Sequence, residues 1–175
     1  DDNDHRRVQE DLDRTFAWAN KWGFDLNVEK CSVIQFGGGS PWPFQLGGQP
    51  LCSSKMERDL GVLITDDMRW DCQVRAAAAK ARWAAHSLSR ALVSKDIRTW
   101  SNLYRTFVRP HLEYASSAWI PNQVSHFNVL GSVQRWFTRQ VPGIGNLNHV
   151  EREKICGLDS IAARTRRGVA IETFK

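Results

Sequence analysis

The chain has 175 residues, 42% of them apolar and 25% charged, a balance that excludes a disordered polypeptide and suits one domain, or one with a small second. No apolar run approaches the roughly 20 residues needed to cross a bilayer as a helix. Charge is divided along the chain: residues 1–66 hold 7 Lys and Arg against 11 Asp and Glu, and residues 67–175 hold 17 against 8.

In chain order, residues 4–22 place Val8, Leu12, Thr15 and Phe16, Ala19 and Trp22 on one face, which predicts an amphipathic helix. Asp1, Asp2 and Asp4 stand where a helix start favours negative charge, and Gly23 ends the helix. Phe24 to Leu26 and Ser32 to Phe36 read as two strands turning at Asn27 to Lys30. The run Gly37-Gly38-Gly39-Ser40-Pro41 is a connector, because no Gly-Lys-Ser or Gly-Lys-Thr comes after it to make a phosphate loop. Phe44 to Leu46 and Gln49 to Leu51 form a small hairpin across Gly47-Gly48. Leu60 to Ile64 reads as a further strand within Glu57 to Ile64, a segment with Gly61 in its middle, and Asp66 and Asp67 cap the next helix.

From there the chain reads as helix. Residues 70–93 set Trp70, Val74, Ala77, Ala81, Leu88 and Leu92 on one stripe. Arg75, Arg82, His86 and Arg90 fall roughly opposite. Alanines at 76–79 and 84–85 allow a second helix to approach closely. Trp83 lies off the stripe beside the basic face, placed either to stack on a base or to pack on a neighbouring helix. A helix over 96–109 is predicted to close at Pro110, and another to run from His111 to Trp119. Residues 124–139 carry Arg135 and Arg139 four apart, with Pro142-Gly143 after them. Two shorter helices, about 149–156 and 160–173, complete the chain. The fold class is therefore α+β and mostly helical, with a small antiparallel β element in 1–66 and then a basic all-α bundle in 67–175. A basic bias sustained over a hundred residues points to nucleic acid, although basic helices also serve solubility alone.

Cys31, Cys52, Cys72 and Cys156 are scattered, without zinc-ligand spacing, and read as reduced thiols of an intracellular protein. No metal ligands are assigned. His5, His86, His126 and His149 read as isolated surface residues, and Trp100, Tyr104, Phe107 and Trp119 as core. His111 and Glu113 read as packing residues rather than an acid–base pair.

Five blocks in order, WANKWGFDLNVEKCSVIQFG, ERDLGVLITDDMRW, LYRTFVRPHLEYASSAW, VQRWFTRQVPGI and EREKICGLDSIAARTRRGVAIETFK, resemble the C-terminal part of non-LTR retrotransposon reverse transcriptases of the Jockey-like kind. Cys72, where a histidine is common, and Val169, where an acidic residue is usual, depart from the pattern. The resemblance implies the end of a polymerase palm over 1–66 and a thumb with its C-terminal extension over 67–175. It places Lys30 in a supporting catalytic role, near the incoming triphosphate and the leaving pyrophosphate, where an ammonium stabilises developing charge. It places Leu60, Gly61 and Val62 at the primer end, and the thumb arginines Arg75, Arg82, Arg90, Arg135 and Arg139 against nucleic acid.

The same resemblance implies an RNA template and a DNA primer as partners, together with the upstream palm and fingers of a parent polypeptide, in the cytoplasm or nucleus. Such polymerases work through two metal ions on palm carboxylates, magnesium in the intact parent, with no cofactor expected in this chain. Their motif of an aromatic, any residue and two aspartates would precede residue 1. Asp1-Asp2 lacks the strand and aromatic before it, and Asp66-Asp67 comes after a strand but leads into a helix. The chain alone is therefore expected to bind template–primer without polymerising. The alternatives are a non-catalytic helical nucleic-acid-binding module derived from such an element, or a remnant without function.

Overall fold

The computed structural model describes residues 2–39, 42–119, 121 and 123–174. Among these described residues the chain is mostly helical, with three two-stranded sheets, all in the N-terminal part. The chain divides between Arg69 and Trp70 into two units. Asp1, Ser40 and Pro41, which entered the readings of the first helix start, of the Asp1-Asp2 pair and of the glycine connector, lie outside the described residues.

The first unit opens with α1, Asp2–Lys21. Its packed side is narrower than the sequence stripe: Leu12, Phe16 and Ala19 are covered, whereas Val8 and Trp22 are exposed. Gly23, with φ of 72°, ends the helix, and the amide of Phe24 returns to the carbonyl of Ala19 at 2.9 Å. This helix end redirects the next residues. The Phe24 ring stacks on Trp18 at 5.8 Å, and the Asn27 side chain accepts the Lys30 amide to cap a short 3-10 turn, Val28–Lys30. Residues 24–26, expected as a strand, are therefore committed to the helix end and to the turn, and the expected hairpin does not form.

What remains of the second expected strand is β1, Ser32–Val33, which pairs in parallel with β4, Cys52–Ser53. Between them β2, Gln45–Leu46, and β3, Gln49–Pro50, form the small antiparallel hairpin. Gly47 at its turn has φ of 60° and sits against the Phe16 ring, where a Cβ would come within 2.3 Å of a ring carbon. Gln9 of α1 fixes this hairpin by exchanging two bonds with the backbone of Gln45, at 2.9 and 3.0 Å.

Glu57 to Ile64 is not one strand. It is a hairpin of β5, Met56–Asp59, and β6, Val62–Thr65, with Asp59 opposite Val62 and Leu60-Gly61 as the two-residue turn. Both turn residues have positive φ, 44° at Leu60 and 87° at Gly61, as a turn matching the right-handed strand twist requires. Gly61 meets that demand freely; Leu60 does so under strain.

After β6, Asp67 closes a local loop. Its Oδ1 accepts the Thr65 hydroxyl at 2.7 Å and the Arg69 amide at 3.0 Å. Those bonds, the Thr65 hydroxyl foremost, hold its carboxyl below the ordinary aspartate range. Neither Asp66 nor Asp67 caps the long helix, which starts later with Asp71 in its first turn.

The second unit is built on α2, Asp71–Ala91. Val74, Ala77, Ala78, Ala81, Ala84 and Ala85 are buried, and small side chains there let neighbouring helices come close. α3, Ile97–Leu103, is capped by Asp96, whose side chain accepts the Thr99 amide. The chain then remains helical through Pro110, which was expected to stop it. A π turn over Tyr104–Val108 lets the Arg109 amide reach back five residues to Tyr104, and Pro110 enters the first turn of α4, Arg109–Glu113. The wider turn relieves the clash that proline makes with the carbonyl four residues earlier.

The helix expected over 111–119 ends instead at Glu113. Ala115 has φ of 51°, and the turned chain buries Trp119 with its indole N–H on the carbonyl of Tyr114 at 2.8 Å. α5, Val124–Arg139, α6, His149–Ile155, and α7, Ile161–Thr173, occupy the predicted segments. Asn148 and Glu151 form a reciprocal capping box at the start of α6.

The core of this unit is aromatic. Trp100 stacks on Phe137 with centroids 4.2 Å apart and donates its indole N–H to the Phe137 carbonyl. Tyr104 donates to Gln134, whose amide reaches Glu153 and the carbonyl of Asp159. Burial pushes the Tyr104 phenol well above its usual range. Phe107, expected in the core, is 52% exposed, because the π turn shifts its register. His126, expected at the surface, is 3% exposed and meets Asp71 at 3.3 Å.

Candidate nucleic-acid interface

α2 is amphipathic because its alanine face is buried and its long cationic side chains lie on the other side. Arg75, Arg82, His86 and Arg90 are all exposed. At 1.5 Å per residue, the row from Arg75 to Arg90 spans about 22 Å. Arg82 and His86 lie along the border with α5. Arg82 donates to the Ser132 hydroxyl at 3.0 Å, and the His86 ring lies 4.1 Å from that of Trp136.

Ser132, Trp136, Arg135 and Arg139 share one broad side of α5, since residues three, four and seven apart on a helix are neighbours. Arg135, half-buried, folds back to donate to the Asn128 carbonyl at 2.9 Å, lying over Gly131, where a Cβ would come within 2.9 Å of its guanidinium. Arg139 is exposed one turn later. The border of α2 and α5 therefore joins Arg82, Arg135 and Arg139 to an imidazole and an indole, and α2 extends the basic row in both directions through Arg75 and Arg90.

Trp136 was not singled out from sequence, where it reads as one aromatic among Arg135 and Phe137. Its spacing of four from Ser132 and three from Arg139 was the available signal. Nothing in the local sequence could have linked it to His86, 50 residues away.

The remaining site residues lie in the first unit. Lys30 is exposed at the end of the 3-10 turn, with its backbone amide held by Asn27. Leu60 is 84% exposed at the tip of the β5–β6 hairpin, Gly61 completes the turn, and Val62 is buried at the base of β6. A strained, protruding leucine is an unusual occupant of a hairpin tip, where asparagine or glycine would sit without cost.

The Asp66-Asp67 pair does not suit a magnesium ion. Asp67 Oδ1 is occupied by the Thr65 hydroxyl and the Arg69 amide, and Oδ2 lies 3.6 Å from the Arg69 guanidinium. No group of three His, Cys, Asp or Glu among the described residues could hold a metal. Glu113 is engaged by Arg164 through both oxygens, one at 2.9 Å, and by Arg109 at 3.8 Å, which makes it a tie between α4 and α7. That bond to Glu113 raises the Arg164 guanidinium above its usual value.

Among the described residues no helix is long and apolar enough to cross a membrane. No protein-family model, curated protein or solved structure matches the chain.

Proposed function

We propose that the chain holds a template–primer duplex, as the palm-end and thumb portion of an RNA-directed DNA polymerase of the non-LTR retrotransposon kind. The family reading is supported by the five ordered sequence blocks. The nucleic-acid contact is carried by one observation: five arginines on adjoining faces of α2 and α5, with Arg82 tied to Ser132 across the two helices. A row of cations about 22 Å long matches a run of backbone phosphates, which supply most of the sequence-independent affinity for a duplex.

Under this reading Lys30 and the Leu60–Val62 hairpin act beside the triphosphate and the primer end of the parent enzyme. The carboxylates that hold magnesium there come from a motif that these 175 residues do not contain. No chemical step is assigned to the chain alone. Its expected setting is the cytoplasm or nucleus, where template and primer are found.

The experiment is a mobility shift with a labelled RNA–DNA hybrid. The wild-type chain is expected to retard the hybrid, and the triple variant Arg75→Gln, Arg82→Gln, Arg90→Gln is expected to lose the complex while keeping its circular dichroism. Undiminished binding by the folded triple variant would remove α2 from the interface and the proposal with it.

A further inference from the structure

Trp83 is the feature of α2 that duplex phosphate binding leaves unexplained. It is 72% exposed on a helix whose opposite face is packed with alanine. Helical side chains lean toward the N-terminus over the preceding turn. For Trp83 that turn carries Ala79, too small to cover an indole, and Lys80, both exposed. Arg90 lies two turns further along almost the same line, and Arg82 and His86 flank it on the side toward α5. The indole is thus a flat, wet, apolar surface set inside a row of cations.

We infer that Trp83 is a stacking platform for an unpaired nucleobase, so that this face takes a junction between duplex and single strand rather than a uniform duplex. The inference rests on the nucleic-acid reading above and refines it. Paired bases keep their faces inside the stack and offer Trp83 nothing. An unpaired base has a free face, and every base can stack, so the contact is indifferent to sequence. The cations Lys80, Arg82 and Arg90 around the ring select this occupant over an apolar protein partner, because the neighbouring phosphates of a single strand complement them.

Two RNA–DNA hybrids of the same duplex length provide the test, one blunt and one with a short single-stranded extension. The wild-type chain should bind the extended hybrid roughly tenfold more tightly. Trp83→Ala should abolish that advantage while leaving blunt-hybrid affinity within about twofold, and Trp83→Phe, which keeps an aromatic face, should retain most of it. Equal wild-type affinity for the two hybrids overturns the inference alone. Trp83→Ala that keeps the advantage also overturns it. Equal weakening of both hybrids overturns it as well, by making the ring a general duplex contact. Failure of the wild type to bind either hybrid refutes the underlying reading instead.

Discussion

Affinity of the chain for an RNA–DNA hybrid should fall about 10³-fold between about 50 and 200 mM monovalent salt. Arg75, Arg82, Arg90, Arg135 and Arg139 can neutralise about five phosphates. Each neutralised phosphate releases condensed counterions, so the logarithm of affinity falls with a slope of roughly −0.9 per contact. A fourfold rise in salt then removes about three orders of magnitude. The slope counts contacts, which makes it more informative than a single affinity. The basic surplus lies wholly in residues 67–175, so the contacts that the slope counts belong to that part of the chain. A slope near −1 would describe one or two adventitious contacts and would contradict a continuous basic face.

The second large effect concerns stability. Arg152 is 2% exposed on α6. Its guanidinium donates to the Thr138 hydroxyl at 3.2 Å, to the carbonyl of Leu147 and to the carbonyl of Arg135 at 3.4 Å. It therefore ties α6 and the loop before it to the C-terminal turns of α5, beside Arg135 and Arg139.

Arg152→Met keeps the length and apolar stem of the side chain but removes all three donated bonds; the Arg135 carbonyl keeps the Thr138 hydroxyl at 3.3 Å, and the Leu147 carbonyl loses its guanidinium partner. Charge-assisted bonds contribute about 1.5–3 kcal/mol each, and a buried unsatisfied acceptor costs about 1–3 kcal/mol, so a loss on the order of 3 kcal/mol is expected. For a chain of this size that lowers Tm by about 10 °C. Arg167→Met offers the comparison: its bond to Asp159 is exposed on both sides, and surface pairs contribute about 0–1 kcal/mol. Calorimetry of the two variants checks the contrast, and a loss below about 1 kcal/mol for Arg152→Met would contradict the buried network.

The helices of the second unit were legible in sequence because their signals are local. The alanine stripe of α2 and its exposed arginines come from one helical periodicity, and α5 stops short of the Pro142-Gly143 break that the sequence places after it. Local signals fail where a distant partner decides. His126 reads as a surface histidine until Asp71, 55 residues away, is placed against it. Phe107 reads as core until the π turn that admits Pro110 rotates it outward.

The first unit was read less well for a related reason. Its strands are two to four residues long, and such short runs carry almost no alternation. Gly61 was placed inside a strand because Leu60 disguises a two-residue turn that Asn-Gly would have announced. Lys30 and the hairpin tip nevertheless emerge exposed, whereas the Asp66-Asp67 pair is absorbed into a local turn.

The most direct test of the central claim is arginine footprinting. The chain is modified with phenylglyoxal in the presence and absence of a saturating RNA–DNA hybrid, and each site is read by mass spectrometry. Protection is expected at Arg75, Arg82, Arg90, Arg135 and Arg139, with Arg6, Arg7 and Arg14 of α1 modified equally in both samples. Equal protection of the two sets, or none on α2 and α5, would contradict a nucleic-acid interface on those two helices.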